Sequence, residues 1–168
     1  SDARILVVDD VDDNRYTLKR RLRRLGFERV DEAEDGREAL AAMDAVRYDV
    51  VFLDIMMPHV SGFDVLEQLH QTGRIGEPPI IVISASDEID SVVRCIKLGA
   101  EDYLTKPFNP TLLAARLDAT LEKKRLRDEV QNQLQLIRDV FGKFVPKSVA
   151  QAIVDGAGTL APRRAVGT

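Results

Sequence analysis

The feature that most constrains this chain is an alternation. Five short strand-like segments, three of them unbroken apolar runs, are separated by stretches whose apolar residues recur at helical spacing. The first run is Ile5-Leu6-Val7-Val8. A helical stretch follows with Leu18, Leu22 and Leu25 on one face, closed by Gly26. A short strand is expected over 30–33, a second helix over "GREALAAMDAV", and a strand at Val50-Val51-Phe52-Leu53. "FDVLEQLHQTG" reads as a third helix and Ile80-Ile81-Val82-Ile83 as a fourth strand. The spacing of Ile89, Val92, Val93 and Ile96 predicts a helix over 87–98, closed by Gly99. "DYLTKPF" holds the fifth strand, and a fifth helix begins near Pro110. Unbroken apolar strands indicate burial on both faces, as in a parallel sheet covered by helices. Five such units predict an α/β doubly wound five-stranded parallel sheet, order 2-1-3-4-5, flavodoxin-like, with a long C-terminal helix.

The strands end on polar residues. The first runs into Asp9-Asp10, the third into Asp54, the fourth into Ser84, and the fifth leads to Lys106. In a parallel sheet these carboxyl ends share one edge, where ligands bind at the topological switch point. Asp9, Asp10 and Asp54 would bring three carboxylates into one crevice. A hard divalent cation resolves their repulsion, and Mg²⁺ suits a site beside phosphate. Taken alone, Asp9 and Asp10 fit capping of the first helix equally well. Asp54 stands by itself at its strand end and is the natural nucleophile toward phosphorus. The Lys106 ammonium and the Ser84 hydroxyl would meet the phosphoryl oxygens.

"VVDD", "VFLDIMMP", "ISA" and "DYLTKPF", in this order, closely resemble the receiver domain of two-component response regulators over about residues 4–121. The resemblance implies a histidine kinase or histidine phosphotransfer protein as phosphodonor. It also implies Mg²⁺ ligation by Asp10, Asp54 and the Met56 backbone carbonyl, with Asp9 helping through water. Ser84 and Tyr103 match the family's switch pair. Ser61 departs from the family pattern, in which an acidic residue is often found at that place. The basic run Lys19, Arg20, Arg21, Arg23 and Arg24 fits a solvated helix face or, as the resemblance implies, docking of the phosphodonor.

After residue 121 the pattern changes. Leu126, Val130, Leu134, Ile137, Phe141 and Phe144 follow at steps of 4, 4, 3, 4 and 3. The later steps fit heptads, and the 4-4 step resembles a stutter. The fifth helix is expected to run on and pair in a homodimer; a lone amphipathic helix folded back on its own domain is the alternative. "FGKFVPKSVAQAIVDG" and Arg163-Arg164 resemble the segment that precedes the catalytic domain of class III adenylate and guanylate cyclases. The expected organisation is a receiver over 1–121, a coiled-coil linker over 122–145 and a pre-catalytic segment over 146–168. On this reading the chain carries no cyclase residues of its own and acts as a regulatory receiver of an adenylate or guanylate cyclase. Other outputs behind such a helix are a phosphatase, a kinase or a diguanylate cyclase.

Two other classes fit less well. A stand-alone aspartate-nucleophile phosphatase needs an acid two residues after the nucleophile, where Met56 stands. A flavin-binding module needs a phosphate loop after the first strand, where Asp10-Val11-Asp12-Asp13 would repel phosphate. The net charge of −4 carries no nucleic-acid signature. No apolar run has membrane-span length. The single cysteine, Cys95, cannot form an intrachain disulfide and predicts a reducing, cytoplasmic setting.

Overall fold

The computed structural model describes residues 1–144 and 147–159. The elements are β1 (Arg4–Val8), α1 (Asp12–Arg24), β2 (Arg29–Ala33), α2 (Gly36–Ala45), β3 (Val50–Leu53), α3 (Gly62–Gln71), β4 (Ile80–Ser84), α4 (Ile89–Lys97), β5 (Asp102–Thr105), α5 (Pro110–Phe144) and α6 (Lys147–Thr159). The five strands pair in parallel in the order β2-β1-β3-β4-β5, as expected from the sequence. Contacts divide the chain into two compact units, Ser1–Lys124 and Arg125–Thr168.

In the first unit, successive strand residues face opposite sides of the sheet. Leu6, Val8, Val51, Leu53, Ile80 and Val82 pack with Ala39 and Met43 of α2, Val65, Leu66 and Leu69 of α3, and Cys95 of α4. Ile5, Val7, Val50, Phe52, Ile81 and Ile83 pack with Leu18 and Leu22 of α1 and Leu113 and Leu117 of α5. Helices therefore cover both faces, and the central strands are fully buried.

Two local differences from the sequence reading have simple causes. The fourth helix begins at Ile89, two residues later than its periodicity suggests, because Glu88 is extended and serves as N-cap. Residues 85–88 form a loop in which Ser86 Oγ accepts a hydrogen bond from Glu88 N at 3.4 Å. Asp9 and Asp10 do not cap α1. Val11 occupies the N-cap position without a side-chain hydrogen bond, and Asp9 Oδ1 instead accepts from Val11 N at 2.9 Å.

In the second unit, Leu126, Val130, Leu134, Ile137, Phe141 and Phe144 are all exposed, as are Leu136 and Val140 beside them. Arg125–Glu129 and Gln135–Asp139 contacts run along the helix at i, i+4 spacing. Helix α6 carries exposed Val149, Ile153 and Val154. Val145, Pro146, Arg163 and Arg164 lie outside the described residues. Among the described residues, no helix is long and apolar enough to cross a membrane.

Candidate functional site

Strand register builds the site. Val8 of β1 lies opposite Leu53 of β3, so the next residues, Asp9 and Asp54, emerge side by side. Asp54 N donates to the Val8 carbonyl at 2.9 Å, and Lys106 N donates to the Ser84 carbonyl at 2.8 Å. Carboxylate oxygens of Asp9, Asp10 and Asp54 come within 4.8 Å of one another. Asp9 and Asp54 are buried, whereas Asp10 is exposed.

Lys106 reaches into this group. Its Nζ lies 2.6 Å from Asp9 Oδ2 and 3.3 Å from Asp54 Oδ2. Burial disfavours the ammonium, but hydrogen bonding to Asp9 and the charges of Asp54 and Asp9 outweigh it, so the Lys106 pKa is raised. Asp54 is also raised. Burial is the main cause, opposed by Lys106 and reinforced by Asp9. One ammonium thus leaves negative charge uncompensated among three carboxylates. That surplus, on oxygen ligands, fits a hard dication such as Mg²⁺. Met56 is exposed at the rim, and its N–H donates to Asp54 Oδ1 at 3.1 Å.

The loop after Asp54 depends on a glycine. A Cβ at Gly62 would collide with the Asp54 carbonyl oxygen and lie 2.7 Å from Ile55 Cα. Without it, Gly62 N donates to the Ile55 carbonyl at 3.1 Å, and α3 starts directly against the site. Ser61 caps α3 in a reciprocal pair with Asp64. Ser61 therefore has a local structural role where the family often carries an acid.

Ser84 and Tyr103 come from the next two strands of the sheet, β4 and β5. Ser84 is fully buried, and its Oγ accepts from Ser86 N at 3.2 Å. The Tyr103 hydroxyl donates to the Ser86 carbonyl at 2.5 Å, and its ring packs on the α2–α3–α4 side of the sheet. Burial pushes the Tyr103 phenol up. Both side chains thus fasten on one backbone unit, that of Ser86. The sequence gives no sign of Ser86, because it participates through its main chain.

Arg15 is the other residue that sequence reasoning missed. It is buried, and its Nη1 donates to the Asp9 carbonyl at 2.6 Å. Its guanidinium pairs with Asp12 and lies 3.6 Å from Glu34. Arg15 Nε sits 3.5 Å from Glu32 Oε1, an ion-pair distance without hydrogen-bond alignment. A cation in the first turn of α1, directly after Asp9, Asp10, Asp12 and Asp13, was the available signal.

A model of the response regulator receiver domain matches residues 5–118. The chain belongs to this family. The receiver is 44% identical over 121 residues to response regulator MprA of Mycolicibacterium vanbaalenii, covering 72% of this chain and 51% of that protein. It spans about half the length of the curated relatives it matches. Among solved structures, it is similar to the chemotaxis protein CheY4 of Vibrio cholerae, with 32% identity and a TM-score of 0.65 over 72% of this chain and all of that one. NtrX of Brucella abortus gives 32% identity and a TM-score of 0.71 over 79% of this chain and 30% of its own. Response regulators are phosphorylated by histidine kinases, and receiver domains typically bind Mg²⁺ at an acidic pocket.

Proposed function

We propose that this receiver accepts a phosphoryl group on Asp54 from a histidine kinase or a histidine phosphotransfer protein. The observation that carries the reading is the setting of Asp54, a buried carboxylate beside Asp9 with Lys106 against both. A carboxylate oxygen of Asp54 attacks phosphorus, the P–N bond of the phosphohistidine breaks, and its electron pair returns to the imidazole. Lys106 follows the charge from the carboxylates to the phosphoryl oxygens. Asp10, Asp54 and the Met56 carbonyl would hold Mg²⁺, with Asp9 acting through water. Bound there, the ion supplies neutralisation of phosphoryl charge. Ser84 then turns its hydroxyl from Ser86 toward the phosphate, and Tyr103 reports that movement to the α4–β5–α5 surface. Exposed Arg20, Arg23 and Arg24 supply a docking face for an acidic phosphodonor surface.

The long helix passes the change on. We place a dimer seam along Leu126, Val130, Leu134, Ile137, Phe141 and Phe144, supported by their exposure and their spacing. We assign the boundaries as receiver 1–121, linker 122–145 and pre-catalytic segment 146–168. The output we favour is a class III nucleotide cyclase, on the resemblance of the segment from Phe144 through α6. The partners of the chain on this reading are a phosphodonor protein and a second copy.

Incubation with Mg²⁺ and acetyl phosphate, followed by mapping of the adduct, tests the site. Label is expected on Asp54, and it should vanish in Asp54→Asn or on chelation of Mg²⁺. Phosphate on Asp9 or Asp10 would overturn the assignment.

A further inference from the structure

A cavity of about 400 Å³ opens beside the acidic group, between α1 and the segment joining β5 to α5. Asp54 and Lys106 lie on its lining, and its walls are largely apolar: Leu18, Phe52, Ile83 and Phe108. Asn14, Thr17, Leu18 and Arg21 follow an i, i+3, i+4, i+7 pattern, so one face of α1 looks onto it. Asn14 marks the site end, because its Nδ2 lies 3.4 Å from Asp9 Oδ1. Arg21 is two helical turns further on, about 10 Å along α1. Arg15 and Lys19 on the same helix are matched with carboxylates. The half-buried Arg21 guanidinium has no hydrogen-bond or ion-pair partner among the described residues. Exposed Arg20, Arg23 and Arg24 add positive potential around it.

A half-buried, unmatched cation on an apolar cavity of this size is the composition of a small-molecule site, in which apolar walls supply affinity and one charge sets orientation. We infer that the cavity takes a small organic anion with an apolar body, its anionic end paired with Arg21, and that an occupant closes access to Asp54. An anion is preferred because Arg21 is the charged lining group left without a partner among the described residues, while Lys106 is already engaged by Asp9 and Asp54. The apolar body lies along Leu18, Phe52 and Phe108. The opposite orientation is disfavoured, since it would put the negative group against two buried carboxylates. Closure of Asp54 rests on the phosphoacceptor role proposed above; binding does not.

Calorimetric titration of the whole chain with phenylbutyrate, and with the uncharged phenylbutanol, tests binding. Saturable one-to-one binding of the acid is expected, with the alcohol at least about tenfold weaker. Arg21→Gln should lose a similar factor for the acid alone. Thr17→Phe, which fills the mouth, should weaken both. Equal binding of acid and alcohol, or undiminished binding to Arg21→Gln, would overturn the site. So would loss of binding in Leu134→Lys, which would put the probe on the exposed linker stripe. In the second arm, labelling by acetyl phosphate is followed with phenylbutyrate. At a concentration near the Kd of the natural sequence, the probe should slow its labelling clearly and slow that of Arg21→Gln several-fold less. Binding without slowing would overturn the closure of Asp54. Absence of labelling without the probe would instead count against the phosphoacceptor assignment and leave the titration result standing.

Discussion

Lys106 is held by Asp9 more closely than by Asp54, at 2.6 Å against 3.3 Å. The lysine therefore balances a buried carboxylate pair, and Asp54 has the longer of the two contacts. Replacing it leaves Asp9 and Asp54 buried without a cation. Lys106→Met should destabilise the receiver by about 2–3 kcal/mol in chelator, below the range for a fully buried pair because the ammonium is partly exposed. Mg²⁺ should restore part of the loss. Urea denaturation with and without the ion measures both.

The Asp54 carboxyl should titrate above its ordinary value in the metal-free protein, because burial and Asp9 outweigh Lys106. Asp9→Asn should lower it and Lys106→Met should raise it further. Carbon NMR of the Asp54 carboxyl reads these shifts. A raised folded pKa means that ionisation costs stability at neutral pH, and that this cost disappears as pH falls below the unfolded value. Asp54→Asn should accordingly raise the melting temperature at pH 7, with the gain shrinking toward acid. A gain independent of pH would contradict the charge argument.

Arg15→Met should cost about 2–3 kcal/mol, since it strips a donor from the Asp9 carbonyl and uncouples Asp12 and Glu32. Arg15→Lys should recover only part, because an ammonium cannot span the same partners. Mg²⁺ affinity should fall in both variants, measured calorimetrically, because the Asp9–Asp10 peptide loses its anchor.

Gly62→Ala should destabilise by about 1–3 kcal/mol, as the added carbon must displace the Asp54 backbone. Slower labelling by acetyl phosphate should accompany the loss. Thermal unfolding and labelling rates on one preparation check the two together.

Sedimentation tests the linker. The natural sequence should associate more strongly after phosphorylation, and Leu134→Lys with Ile137→Lys should remain monomeric throughout. Identical behaviour of the two proteins would remove the proposed dimer seam.

The sheet and its order were legible because the three central strands are apolar runs between periodic helices, although β2 and β5 carry acids and turn outward in part. Asp9, Asp10, Asp54 and Lys106 were legible because polar residues interrupt those runs at the strand ends. Ser86 was hidden, since a main-chain role leaves no mark on residue type. Arg15 was hidden by its neighbours, because a basic helix draws the eye to its exposed arginines. The start of α4 was misplaced by periodicity, which continues through Asp87 although the extended Glu88 ends the pattern.

The alternation of strand residues sorts the site by parity. Asp9, Asp54 and Lys106 each stand two residues beyond a side chain that packs toward α1 and α5: Val7, Phe52 and Leu104. Ser84 and Tyr103 share the opposite parity; Ser84 follows Val82 by two, and Tyr103 itself packs toward α2, α3 and α4. The acid–lysine group and the hydroxyl–phenol pair thus reach the carboxyl edge of the sheet from opposite faces, and meet there closely enough for the Asp54 charge to act on the Tyr103 phenol. Deleting a single residue within β3 would do more than expose part of a core. It would reverse the parity of Asp54, turning its carboxylate off the face it shares with Lys106.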